Sequence, residues 1–373
     1  MVTRSTLAQG YAGKRVLLTG HTGFKGSWMA LWLAELGAEV FGLALEPPTT
    51  PSLFDLAGLA ESVDHHIADI RDAQAVHDRI AAVRPDIIFH MAAQSLVRES
   101  YRSPVDTLAV NVMGTAHVLE AARQLGNPCA VVIVTSDKCY DNREWVWGYR
   151  ESDPLGGHDP YSMSKGAAEL VTDSWRSSFF HAPDSVIRVA SARAGNVIGG
   201  GDWAVDRIVT DSIAALARGE PIRLRNPQAT RPWQHVLEPL SGYLLLGQRL
   251  AQANGAAFAE AWNFGPLTDS IRPVSDLAGL LVGAWGSGRW ESAAAPDQPR
   301  EAHSLALNCD KAHHLLDWRP RWSIEQAVDA TVGWFKAWQA GEDLRSVTRD
   351  QIARYEADAA ASDLAASPTR SAR

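Results

Sequence analysis

Short apolar runs alternate with amphipathic stretches through the first half of the chain. Lys14-Arg-Val-Leu-Leu-Thr-Gly20 reads as a strand ending in a glycine turn. Trp28, Leu31, Trp32 and Leu36 give residues 25–36 the spacing of one helix face, stopped by Gly37. Ala38–Leu43 is a second strand, after which Pro47, Pro48 and Pro51 force an extended loop. Residues 72–83 read as a helix, Asp86–His90 as a buried strand, 104–125 as a long helix and 130–135 as another strand. A second long helix over 160–179 and a strand over Ser185–Ala190 follow. This alternation predicts an α/β fold with a doubly wound parallel Rossmann sheet.

Beyond about residue 195 the pattern loses its regularity, beginning with Gly199-Gly-Gly201. Short helices and strands there predict a smaller mixed α/β substrate-binding region. The expected division is 1–195 for the first domain and 196–355 for the second region, interleaved with the first and able to complete its sheet. Residues 356–373 turn to Ala, Ser, Asp and Arg and are expected to form a disordered tail.

With 373 residues and 46% hydrophobic content, the chain can bury a large core. A formal charge of −8 argues against nucleic acid or an anionic membrane as a partner, although local cationic sites stay possible. No uninterrupted apolar stretch approaches the ~18 residues of a membrane span, and no apolar signal core opens the chain, so a soluble cytoplasmic protein is expected. The three cysteines (Cys129, Cys139, Cys309) have neither disulfide-framework nor metal-site spacing, which suits a reducing compartment. The fourteen tryptophans are dispersed, as core or subunit-contact residues would be. His65-His66 and His313-His314 lack partner ligands at suitable spacing, so no metal is expected.

Chemistry concentrates at three places. Gly20-His-Thr-Gly23-Phe-Lys-Gly26 joins a strand to a helix, where amides and the positive dipole end favour a pyrophosphate and glycines allow close approach. Alone, this is equally a tight strand–helix turn. Ser136, Asp137 and Lys138 follow the apolar run Cys129–Thr135, at the carboxyl end of a strand, where open α/β sheets bind ligands. Tyr161 and Lys165, four apart on one helix, share a face. Together these supply a base, its charge partner, an acid and a positioning hydroxyl, enough for hydride transfer coupled to proton transfer.

The Gly-x-x-Gly-x-x-Gly turn and Tyr161-x-x-x-Lys165 resemble the extended short-chain dehydrogenase/reductase family, over roughly residues 14–340. The resemblance implies NAD held by Gly20, Thr22, Gly23, Phe24, Lys25 and Gly26, with Tyr161 and Lys165 beside it. It further implies adenine against Asp69 and Ile70, and a nicotinamide ribose lined by Ala92, Ala93 and Gln94. Asp69 could instead cap the helix at 72–83. The second strand ends in Ala44-Leu45-Glu46, and whether Glu46 reaches a ribose hydroxyl is open. No Arg or Lys lies between Lys25 and Arg71, which favours NAD over its 2′-phosphorylated form.

Longer strings narrow the resemblance. Thr19-Gly-His-Thr-Gly-Phe-Lys-Gly-Ser-Trp28, Val134-Thr-Ser-Asp-Lys-Cys-Tyr140, Glu144-Trp-Val-Trp-Gly-Tyr-Arg-Glu151, Arg193-Ala-Gly-Asn-Val-Ile-Gly-Gly-Gly-Asp-Trp203 and Arg231-Pro-Trp-Gln-His-Val-Leu-Glu-Pro-Leu240 are similar to the CDP-glucose 4,6-dehydratases. That branch carries Asp-Lys where dTDP-glucose dehydratases carry Asp-Glu. The implied reaction turns CDP-glucose into CDP-4-keto-6-deoxyglucose and water by an internal hydride cycle. Tyr161 would take the 4-hydroxyl proton, its pKa lowered by Lys165 and the positive nicotinamide; Ser136 would orient that hydroxyl. Asp137 would protonate the departing 6-hydroxyl, and Lys138 would be the carbon 5 base or a stabiliser of the enolate. Arg231 and Asn196 resemble diphosphate contacts, and Arg300 is a further phosphate candidate. Arg193 suits substrate contact or a buried ion pair, and Trp233 and His235 suit the nucleotide site or the core. The helices at 104–125 and 160–179 resemble those that pair family members into homodimers, although their apolar positions could equally serve only the monomer core. Other nucleotide-sugar dehydratases, epimerases, or a catalytically silent NAD-binding protein are the alternatives; a simple epimerase has no use for Asp137 as a leaving-group acid.

Overall fold

Six parallel strands form the central sheet: β1 (Arg15–Thr19), β2 (Glu39–Leu43), β3 (Ile87–His90), β4 (Cys129–Val134), β5 (Ile187–Ala194) and β6 (Ala261–Phe264). Their spatial order is β6-β5-β4-β3-β1-β2. This computed structural model describes residues 4–182, 184–266, 268–293 and 304–366. Arg300 and residues 367–373 lie outside the described residues.

Strand alternation sorts side chains onto two faces. Leu17, Ile88, Val131 and Ile133 point to one face and pack with Val76, Ile80 and Val118 from α1 (Ala73–Val83) and α2 (Gly114–Arg123). Val16, Leu18, Ile87, Phe89 and Val132 point to the other and pack with Trp28, Trp32, Leu240 and Leu244. Those partners sit on helices Phe24–Glu35 and Leu237–Ala251. On the second of these, Gly242 and Gly247 allow close approach: a Cβ would fall 2.3 Å from Phe264 and 2.7 Å from Phe89. The sheet is thus covered on both faces, the doubly wound α/β arrangement read from the pattern.

Several boundaries differ from the sequence expectation. β5 runs to Ala194 rather than stopping at Ala190, because β6, seventy residues downstream by register, pairs with Ser191–Ala194. The helix expected over 104–125 is composite, with a helical turn at Pro104–Leu108 and a π-helical segment at Ala109–Met113 before α2. Beyond β2, backbone bridges at Phe41–Asp64 and Ala44–Ile67 add a rudimentary parallel edge. The expected disordered tail is corrected over 356–366, where a helix spanning Leu344–Ala366 continues without a break. Glu356 accepts a hydrogen bond from Trp32 Nε1 (2.9 Å), Asp358 one from Trp322 Nε1 (2.9 Å), and Tyr355 donates to Glu238 (2.7 Å). These anchors, with the helix propensity of alanine, outweigh the polar composition.

The chain reverses direction across the sheet between β1 and β3, the switch point where ligands of open α/β sheets bind. The carboxyl ends of β1, β3, β4 and β5 all open there into one cleft.

Candidate active site

The cleft measures ≈ 1760 Å³ and runs from the glycine turn to the region after residue 195. At its floor, Gly20 has φ +76°, and a Cβ there would lie 2.7 Å from the Ala92 amide nitrogen. Gly26 is tighter still: a Cβ would approach the Gly20 carbonyl oxygen to 2.0 Å. Gly23 caps the Phe24–Glu35 helix without any side chain, which leaves the first-turn amides facing the cleft. Thr22 donates to the Leu45 carbonyl (2.8 Å) and ties this turn to the end of β2. The backbone therefore forms a cradle for a pyrophosphate, and the residues present fit a dinucleotide.

Asp69 and Ile70 line the next portion of the cleft. Asp69 does not cap the following helix; Asp72 does, accepting from Gln74 and Ala75 amides at 3.0 and 3.1 Å. Arg71 hydrogen-bonds Asp69 and holds its carboxyl below the usual range. Glu46 also faces the cleft. Ala92 and Ala93 line it, but Gln94 does not. The Gln94 side chain turns inward, accepting from the Leu96 amide (2.5 Å) and donating to Thr107 (2.9 Å), so the lining role expected for it is corrected to a brace. Asn111 in the π segment holds the Gln94 backbone and donates to Ser164 on the Tyr161 helix (2.8 Å).

Ser136, Asp137, Lys138, Tyr161 and Lys165 all line the central part of the cleft. Asp159 caps helix Pro160–Phe179 by accepting from the Ser162 amide (2.9 Å), which fixes Tyr161 in its first turn. The Tyr161 amide also donates to Ser100 (3.1 Å). Ser136 donates to Asp137 Oδ1 (3.0 Å) and accepts from the Lys138 amide (3.2 Å). The other Asp137 oxygen, Oδ2, is buried and has no partner among the described residues. Lys138 Nζ stands 5.9 Å from the centre of the Tyr161 ring.

Burial dominates the electrostatics. It raises the Asp137 pKa despite the opposing pull of Lys138 and the Ser136 hydrogen bond, favouring an un-ionised acid. It also pushes the Tyr161 phenol up to about 12, with Ser136 hydrogen bonding pulling the other way. The lowering expected from Lys165 together with a positive nicotinamide is not produced by the protein's own side chains. Lys165 itself is lowered to about 8 by burial, partly offset by Glu169. Lys25 is lowered to about 7, by burial and then by Arg207 and Lys165, against the opposing charge of Asp137.

Asn196, Arg231 and Trp233 line the far end of the cleft. Arg193 does not. Its guanidinium is buried behind the strand ends, donating to Glu169 (2.8 Å), Tyr140 (2.7 Å) and the Glu151 carbonyl (3.1 Å). Of the two readings open for it, the ion pair is the one realised, because its donors are directed away from the cleft. His235 packs between Trp28 and Trp322 at 5.7 and 4.8 Å and belongs to the core. His65 hydrogen-bonds His21 (2.6 Å), and among the described residues no cluster of three metal-ligating side chains occurs.

One cleft residue and one buried beside the cleft were not singled out from sequence. Arg207 lines the cleft, pairs with Asp202 (2.7 Å), donates to Ser95 (3.0 Å) and favours the ionised Tyr161. Its position just after Gly199-Gly-Gly-Asp-Trp203 was the available signal. Tyr243 lies beneath the site with Lys25 Nζ 5.6 Å from its ring centre, and nothing in its apolar helical stripe distinguished it from core.

Comparison with known proteins agrees with this geometry. The family model described as GDP-mannose 4,6 dehydratase matches residues 17–331. A CDP-glucose 4,6-dehydratase from Salmonella typhimurium is 51% identical over 348 residues, 92% of this chain and 97% of that protein. A dTDP-glucose 4,6-dehydratase from Streptomyces antibioticus is 30% identical over 86% of this chain and 92% of its own length. Among solved structures, the dTDP-glucose 4,6-dehydratase from Streptomyces venezuelae with NAD and TYD bound superimposes with TM-score 0.72 at 23% identity, covering 89% of this chain and 99% of that one. The UDP-glucose 4-epimerase from Thermotoga maritima with UDP-glucose gives 0.75 at 22% identity, covering 87% and 99%.

Proposed function

Because the chain belongs to the GDP-mannose 4,6 dehydratase family, we propose that it is an NAD-dependent lyase converting CDP-D-glucose into CDP-4-keto-6-deoxy-D-glucose and water. The observation that carries this reading is Asp137, a buried carboxyl whose pKa burial raises and whose Oδ2 has no partner among the described residues, in the same cleft as Ser136, Tyr161 and Lys165. An enzyme that only oxidises and re-reduces carbon 4 has no need of that acid. The 51% identity to the Salmonella enzyme supports cytidine as the nucleotide.

Gly20, Thr22, Gly23, Phe24, Lys25 and Gly26 would cradle the NAD pyrophosphate, with Asp69 and Ile70 at the adenine end and Ala92 and Ala93 near the nicotinamide ribose. Bound NAD supplies a hydride acceptor and a positive charge beside the phenol. Tyr161 takes the proton of the sugar 4-hydroxyl, which Ser136 orients, while Lys165 stabilises the phenolate through charge. The resulting 4-ketone acidifies carbon 5, and Lys138 removes that proton. Asp137 gives its proton to the 6-hydroxyl, so that water rather than hydroxide leaves. Arg231 and Asn196 hold the sugar diphosphate, Arg231 by its planar fork.

Val105, Met113, Met163, Leu170 and Phe179 expose 40–76% of their surface on the segments Pro104–Arg123 and Pro160–Phe179. That apolar face supports a homodimer in solution. Among the described residues no helix is long and apolar enough to cross a membrane, and we place the enzyme in the cytoplasm. The test is incubation of the purified protein with CDP-glucose and, separately, dTDP-, UDP- and GDP-sugars, reading product absorbance in base. CDP-glucose should be consumed fastest; turnover of dTDP-glucose alone overturns the substrate assignment.

A further inference from the structure

The dehydratase reading, on which this inference rests for the direction of its ligand, leaves the nucleotide base without a recognition element. A hexose reacting at Asp137 fixes which way the rest of the molecule runs. Gly195 lies against that carboxyl: a Cβ there would fall 2.5 Å from Asp137 Oδ2 and 3.2 Å from Pro232. Asn196 and Arg231 are the chain neighbours of Gly195 and Pro232, so both flank the reacting end. A diphosphate held by them sends the nucleoside onward, away from Asp137. The cleft wall beyond residue 200 that is left to receive it includes Asp206, Ile208, Ile222, Arg225 and Asn226.

Asp206 and Arg225 stand together on that wall. Arg225 follows the short strand Ile222–Leu224 and donates from Nη2 to Asp206 Oδ1 (3.2 Å), which uses one of the five N–H groups of its planar fork. Arg98, on the helix Val97–Arg102, meets the same Oδ1 at 3.3 Å from the first domain. Asp206 has φ +63°, a left-handed backbone that aspartate adopts more readily than most residues. Its carboxylate is thus fixed by its own backbone and by two guanidiniums. The side chains of Asp206 and Arg225 are 30% and 37% exposed, so each still presents polar atoms to the cleft. Two guanidiniums around one carboxylate leave a positive excess, which attracts a nucleoside diphosphate.

We propose that the Asp206–Arg225 pair reads the edge of a cytosine base. Cytosine presents an amino donor at carbon 4 beside two acceptors, N3 and O2. A carboxylate oxygen next to a two-pronged N–H donor is the complement of that order. Uracil and thymine carry a carbonyl oxygen at carbon 4 and a proton on N3. Against them Asp206 faces an acceptor and Arg225 faces a donor, so two of the three contacts turn repulsive. The pair therefore selects the base, a role separate from the diphosphate contacts of Arg231 and Asn196.

The experiment is calorimetric binding of CDP and UDP, which differ only at carbon 4 and N3 of the base, to the NAD-saturated wild type, Arg225→Met and Asp206→Asn. The wild type should bind CDP about 10–100-fold more tightly than UDP. Arg225→Met should remove most of that preference by weakening CDP, with UDP affinity nearly unchanged. In Asp206→Asn the amide can turn its NH2 towards the uracil oxygen, so UDP should bind more tightly and the preference should shrink from the other side. Each ratio is taken within one preparation, so loss of folded protein lowers the stoichiometry and leaves the ratio intact. Equal weakening of CDP and UDP by Arg225→Met would make Arg225 a phosphate contact and overturn the proposal. A wild-type ratio kept by both variants, or no preference in the wild type, would overturn it too. A wild type that prefers CDP yet leaves CDP-glucose unconverted brings down the dehydratase reading alone, a result distinct from failure of the base readout.

Discussion

At the scale of single residues, Asp137 shows how the proposed acid is held in a setting unfavourable to its charge. Burial raises its pKa, so its folded form retains a proton that the unfolded form releases. The sign follows: its contribution to stability is complete below the unfolded carboxylate pKa and is lost as pH rises through the folded one. Asp137→Asn should therefore raise the melting temperature by roughly 1–3 °C above that range, with the gain vanishing in acid. Thermal unfolding at several pH values measures this. The same substitution should lower kcat about 10²–10⁴-fold, because amide nitrogen cannot protonate the leaving hydroxyl. A variant that is both more stable and still fast would remove Asp137 as the acid. Ser136, Asp137, Tyr161 and Lys165 were legible in the sequence because strand ends and i,i+4 pairs are local features. Arg193 and Gln94 were not, since the direction of a long side chain depends on partners far along the chain.

At the scale of elements, the glycine turn is set by contacts that admit no side chain. A methyl on Gly26 would meet the Gly20 carbonyl, a backbone atom that cannot swing aside. Gly26→Ala is expected to cost about 1–3 kcal/mol by urea unfolding. Calorimetric NAD affinity should fall with it, because the Phe24–Glu35 helix must shift away from the cleft. Full stability and affinity in this variant would show that the turn is looser than its geometry. The strand–helix alternation was readable because periodicities near 2 and 3.6 are printed in any sequence. The extension of β5 to Ala194 was not, because it follows from pairing with β6. The π segment at Ala109–Met113, whose Asn111 braces the Tyr161 helix through Ser164, likewise leaves no trace in hydrophobic spacing.

At the scale of the whole molecule, a buried ion pair joins helix Pro160–Phe179 to the sheet behind the site. Glu169 accepts from Arg193 (2.8 Å), Ser191 (2.6 Å) and Thr135, linking β4, β5 and the helix that carries Tyr161 and Lys165. Burial alone would raise the Glu169 pKa, but the Arg193 charge and these donors bring it below the usual value. Its stabilising contribution is therefore present above the unfolded glutamate pKa and lost as pH falls through the folded one. Glu169→Gln should cost about 3–5 kcal/mol at neutral pH, since it leaves the Arg193 charge buried without a counter-ion. It should also flatten the acid limb of the stability profile, measured by denaturant unfolding across pH. An unchanged acid limb would assign that limb to other carboxylates.

By itself the sequence determined the order of strands and helices, the glycine cradle, the family, and the reactive residue types at the centre of the cleft, since each is written in local spacing or in contiguous strings. Tertiary structure alone decided that β6 completes the sheet and that Arg193 serves Glu169. It also decided that Arg207 lines the cleft, and that Thr348, Tyr355, Glu356 and Asp358 of the Leu344–Ala366 helix meet buried tryptophans. It decided, too, that burial pushes the Tyr161 phenol up. Those outcomes depend on contacts between distant segments and on exclusion of water, and neither quantity is carried by any short stretch of chain.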